Sequence, residues 1–150
     1  MKIFISHSHK DNKRINKYLL PLKGINGIDL FLAEESIAVG KEFDKEIETE
    51  ISNCDLFILI HSINSSKSPF VQQEIGIAKG KGKIILPFTL DNFEPKGLIA
   101  GVQYIKLNKG DTFIVLREVI KYFPKEIQKE DRAIIAILIG ALILLAFSKD

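Results

Sequence analysis

The 150 residues carry 46% hydrophobic and 27% charged side chains, and 21 Lys and Arg against 19 Asp and Glu leave a formal charge of +2. That content suits one core of ordinary size plus an appendage and excludes a disordered chain, while so small a charge supplies no dense basic field for nucleic acid. The lone Cys54 excludes an internal disulfide; it precedes an apolar run and reads as a small buried hydrophobe in a reducing compartment.

Short apolar runs alternate with amphipathic segments, the pattern of an α/β domain with a parallel sheet. Met1 and Lys2 lead directly into an apolar strand over 2–6, KIFIS, so no signal peptide is expected. Ser8 and Asp11, spaced as a capping box, start a helix in which Ile15, Tyr18, Leu19 and Leu22 recur at helical spacing. A second strand is expected over 28–33, IDLFLA, then a loop through Ile37 and Gly40. The next helix sets Phe43, Ile47 and Ile51 on one side and Asp44, Lys45 and Glu48 on the other. A third strand over 55–61, DLFILIH, is apolar nearly throughout, as befits a strand buried on both faces.

Ser68 followed by Pro69 marks the start of another helix, the Ser as its cap and the Pro at its first position. Val71, Ile75 and Ala78 form its apolar stripe, and Phe70 and Glu74, four residues apart, stack on one flank. A fourth strand follows over 83–88. An irregular connection with Pro95, Gly97 and Gly101 leads to a short fifth strand over 102–107. Asp111 or Thr112 then caps a helix offering Val115, Leu116, Val119, Ile120 and Phe123 to the core, and Pro124 ends it.

These elements make a domain over 1–123, a flavodoxin-like three-layer sandwich with a five-stranded parallel sheet in the order 2-1-3-4-5. Ligands of such sheets bind outside the carboxyl ends of the strands, between strands one and three. Ser6, His7, Ser8 and His9 end strand one, His61 and Ser62 end strand three, and the loop over 33–40 ends strand two. The helix bearing Glu74 begins at the same rim, with Glu74 about 9 Å along its axis from the start. A Glu in the early turns of a helix is often a solvated residue that complements the helix dipole; here hydroxyls, imidazoles and one carboxylate converge on a single edge.

At these residues the chain resembles a Toll/interleukin-1 receptor (TIR) domain of the prokaryotic type. FISHSHKD at 4–11 is similar to the first box of that family, ESIAVGKEF at 35–43 to its glycine-containing loop after strand two, and SPFVQQE at 68–74 to its aromatic-x-x-x-Glu motif. The resemblance covers roughly 2–123. It implies cleavage of NAD at the nicotinamide glycosidic bond, to linear or cyclic ADP-ribose products, with Glu74 as catalytic residue and NAD as substrate rather than cofactor. It also implies self-association through TIR–TIR contacts and a role in prokaryotic antiviral defence. Such cleavage builds oxocarbenium-like charge on the ribose, which a carboxylate stabilises. Ser6, Ser8, Ser36 and Gly40 are candidates for holding ribose or phosphate, and Phe70 for walling the site.

Two departures stand out. The motif aromatic is commonly Trp in the family and is Phe70 here, which keeps a ring face and loses an N–H donor. The loop has Ala38-Val39-Gly40 where many animal members have Pro-Gly. His7 and His9, two apart with no third His or Cys nearby, are poor metal ligands, so no metal is expected. His61 reads as a surface or crevice residue rather than a base. A receiver-like phosphoacceptor is disfavoured because strand one lacks an acidic cluster for magnesium at its end.

A charged linker, 124–132, separates the domain from 133–147, AIIAILIGALILLAF, a run that is apolar all round. As a helix it spans about 22 Å, short of the roughly 30 Å hydrocarbon core. A membrane anchor is expected, with Arg132 and Lys149 snorkelling and the domain held in the cytoplasm by the preceding Lys121, Lys125, Lys129 and Arg132. Ala133, Ala136 and Gly140 give it small-residue spacing for helix packing. Two functions follow: a membrane-tethered NAD-cleaving enzyme, or a non-catalytic module that clusters a membrane signalling complex.

Overall fold

A computed structural model describes residues 1–33, 45–90, 94, 97–102, 105–106 and 131–147. The chain forms a parallel sheet in the order β2-β1-β3-β4-β5. Its strands are β1 (Lys2–Ser6), β2 (Asp29–Leu32), β3 (Leu56–His61), β4 (Ile85–Thr89) and the two-residue β5 (Ile105–Lys106). Central β3 is buried at all six positions, as its unbroken apolar run requires of a strand covered on both faces.

The helices are α1 (Asn12–Leu19), α2 (Lys45–Asn53), the short α3 (Ile63–Ser66), α4 (Pro69–Gly80) and α5 (Asp131–Phe147). Strand alternation divides the core in two. Ile3 and Ile5 of β1 with Leu56, Ile58 and Ile60 of β3 face α1 and α5. Phe4 with Phe57 and Leu59 face α2 and α4, whose Ile47, Ile51, Val71, Ile75 and Ala78 complete that layer. Register sets Phe4 beside Phe31 and Phe57, and the rings stack at centroid distances of 5.3 and 5.2 Å.

The expected hydrophobic helix is present: α5 is a 17-residue helix that buries Ile135, Leu138, Ile139, Leu142 and Leu145 in the α1-side core. No helix among the described residues is long and apolar enough to cross a membrane. Arg14 of α1 donates from Nη2 to the Leu145 carbonyl at 3.4 Å, placing a cation on the carbonyl end of the helix, where its dipole is negative. Gly27, at φ 92°, lies so close to the Ile134 side chain that a Cβ there would collide with it. One side of this all-apolar helix is buried, and Ala133, Ala136, Ile137 and Leu144 are exposed on the other.

Two local differences bear on the site. The turn after β1 starts with a 3-10 turn, His9–Asp11, capped by Ser8, whose Oγ accepts the Lys10 N–H. Asp11 does not close the expected capping box, because its carboxylate is taken up across the molecule. Helix α3 was not expected; its signal is Ser62 and Ser65, three apart, which form a reciprocal capping box.

Candidate active site

Glu74 is placed by two simple periodicities. Val71, Ile75 and Ala78 are buried on α4, and position 74 completes their i, i+3, i+4, i+7 stripe, so the carboxylate enters the α4–sheet layer instead of solvent. On β1, alternation sends Ser6 to the same face as Phe4. Ser6 Oγ donates to Glu74 Oε2 at 2.5 Å, and both residues are buried, Glu74 at 5% exposure. The bond ties the end of β1 to the second turn of α4.

At the same sheet edge lies a cleft of about 210 Å³, which neither Ser6 nor Glu74 lines. Ser8, His9 and Lys10 supply one wall from the turn after β1, and Asn64, Lys67, Ser68, Pro69 and Phe70 supply the other from α3 and the start of α4. Ser68 caps α4 by accepting the Val71 N–H, with Pro69 at the first position, as the sequence implied. Phe70 is half-buried on the cleft. Glu74 follows it by about 6 Å along the helix axis. Helical side chains lean toward the N-terminus, so Glu74 leans toward the end of α4 that lines the cleft, while its carboxylate is held by Ser6.

A second carboxylate braces the cleft. Asp11, buried at 6% exposure, accepts from Ser62 Oγ at 2.6 Å and from Asn64 Nδ2 at 2.7 Å. The turn after β1 is thereby joined to the start of α3 across the sheet's switch point. Nothing in the sequence signalled this tie beyond the acidic residue in the first box. His7 is buried with Nε2 2.7 Å from Asn12 Oδ1. His9 is exposed on the cleft wall.

His61 is not a surface residue: it is buried at 1% exposure, with Nε2 3.2 Å from the Glu94 carbonyl. Burial holds its pKa below the ordinary 6.5, against a smaller opposing pull from that carbonyl. Cys54 is buried and free, as composition implied, and burial raises its thiol pKa above the usual value despite nearby Lys83.

The structure thus brings together Ser6, Ser8, Phe70 and Glu74 at one sheet edge. Ser36 and Gly40 lie outside the described residues. Asn64, Lys10 and Lys67 were not anticipated at the site; Asn64 lies on α3, Lys67 just past it and Lys10 in the 3-10 turn after β1, so their proximity arises only once α3 folds back toward β1.

The fold is similar to that of the Clostridium botulinum CMP N-glycosidase BcmB, with 23% identity, a TM-score of 0.56, and 81% of this chain and 99% of that one covered. The TIR domains of the activated Roq1 resistosome, which recognises the pathogen effector XopQ, also match, at 17% identity and a TM-score of 0.47 over 98% of this chain and 84% of that one. No curated protein matches the chain. A profile of the TIR domain matches residues 3–120, the span that holds the sheet, the Ser6–Glu74 tie and the cleft, and the chain therefore belongs to the TIR domain family.

Proposed function

We propose that this TIR domain hydrolyses or cyclises NAD by breaking the bond between nicotinamide and ribose, with Glu74 as the carboxylate that stabilises the reacting ribose. The observation that carries this reading is a buried carboxylate on α4, held by Ser6, about one helical turn past Phe70, which lines a cleft at the same sheet edge. As the C1′–N bond breaks, its electron pair leaves with nicotinamide and neutralises the pyridinium. The leaving group therefore needs no strong acid. Positive charge collects on the ribose, and a carboxylate held away from bulk water stabilises it more than a solvated one does. Water then attacks C1′ and releases a proton to solvent, giving the linear product, or a ring nitrogen of the adenine attacks through its lone pair and takes the positive charge onto the adenine, giving the cyclic one. A fold neighbour whose name describes N-glycosidic cleavage of CMP shows that a related architecture is found among N-glycosidases; that likeness concerns the fold.

A second reading is favoured by the same burial. Glu74 can serve as a structural tie between α4 and β1 in a non-catalytic interaction module. Following nicotinamide release from NAD by chromatography, over protein concentrations that span self-association, separates the two. The enzymatic reading expects release from the full chain and at least about a hundredfold less from Glu74→Ala. Absence of release from the unaltered chain at every concentration leaves the interaction module as the account.

A further inference from the structure

We propose that the cleft between the turn after β1 and the start of α4 is a phosphate-binding subsite, so that the substrate is recognised through a single 5′-phosphate and mononucleotides are accepted alongside NAD. This rests on the reading of Glu74 given above and adds the substrate class. Lys10, Lys67 and His9 stand on the cleft walls, and no carboxylate is among its lining residues. Among the described residues, the ion pairs, Lys2 with Asp29 and Lys81 with Glu48 among them, do not involve Lys10 or Lys67. Asp11, in the same turn as Lys10, is occupied by Ser62 and Asn64, and Glu74 of α4 by Ser6.

The cleft also offers a buried hydroxyl. Ser8 is 2% exposed; its Oγ accepts the Lys10 N–H at 3.4 Å, and its own proton goes to no acceptor among the described residues. Two ammonium groups and an O–H donor around one depression match the acceptor oxygens and charge of a phosphate monoester. The volume of about 210 Å³ is below the roughly 300 Å³ at the low end of small-molecule pockets. It suits a phosphate with its attached ribose, and the adenosine half of NAD extends beyond it. Phe70 lines the cleft and Glu74 lies about one turn further along α4, so a ribose reaching from the phosphate past Phe70 would extend toward the carboxylate, the order in which a nucleotide presents them.

The test is equilibrium binding of nicotinamide mononucleotide and nicotinamide riboside to the full chain carrying Glu74→Gln, which leaves both ligands intact. The mononucleotide is expected to bind at least about tenfold more tightly. That preference should vanish in the Lys10→Ala/Lys67→Ala background and shrink with added salt. Both lysines are exposed, so their replacement is not expected to disturb folding. Equal binding of the two ligands, no binding of either, or a preference that survives loss of both lysines overturns the proposal. Nicotinamide release from NAD by the unaltered chain is read separately: a phosphate preference without release sinks the catalytic reading and leaves the subsite standing.

Discussion

At the scale of single residues, the edge of the sheet is organised by two buried carboxylates, each holding a serine hydroxyl from a strand end. Glu74 takes Ser6, and Asp11 takes Ser62 together with Asn64. Asp11→Ala leaves the Ser62 hydroxyl and the Asn64 amide without their acceptor, at a cost of about 1–3 kcal/mol; urea unfolding should show this as a lower midpoint with an unchanged slope. His61 gives a pH signature. The unfolded imidazole titrates near its ordinary 6.5, and the folded one lower, so between the two values the unfolded state binds more protons. The contribution of neutral His61 is complete above 6.5 and is lost as pH falls through the acid side of that value. Melting temperature should therefore drop as pH is lowered from about 7.5 to about 5.5, with a shallower slope in His61→Gln.

Among the elements, α4 was the most legible, and α5 was legible as a helix but not in what its apolar surface meets. Ser68-Pro69 named the start of α4, and Val71, Ile75 and Ala78 named its buried side. The same periodicity already contained Glu74, so a carboxylate in the core-facing stripe was written in the sequence. Its partner was not, because strand alternation gives Ser6 a face without saying which helix covers it. Helix α5 has no polar side, and a pattern apolar all round fits lipid and protein interior alike; the decisive facts are its contacts with Arg14 and Gly27, both remote in sequence. Packing makes a measurable difference between its sides. Leu138→Ala, at a site with 0% exposure, should cost about 2–5 kcal/mol in urea unfolding, and Leu144→Ala, at 60% exposure, within about 0.5 kcal/mol. Equal and negligible effects at both positions contradict the packed helix.

For the whole molecule, the parallel α/β architecture was legible because four apolar runs of strand length alternate with helical segments, and right-handed connection of such units restricts the sheet order. The location of the site followed from the switch point. The cleft did not, since its walls depend on α3 turning Asn64 and Lys67 toward the β1 turn, a short helix revealed only by the Ser62–Ser65 capping box. The resulting molecule sets a buried acid and a cleft lined by Lys10 and Lys67 at one edge of the sheet. Its central claim is that Glu74 acts on substrate rather than only tying α4 to β1, and thermal unfolding paired with nicotinamide release in Glu74→Gln tests it most directly. Gln keeps the length of Glu and an acceptor for Ser6, so the account predicts a melting temperature within a few degrees of the unaltered chain and release reduced at least about a hundredfold. A folded Glu74→Gln that still releases nicotinamide at the unaltered rate contradicts it.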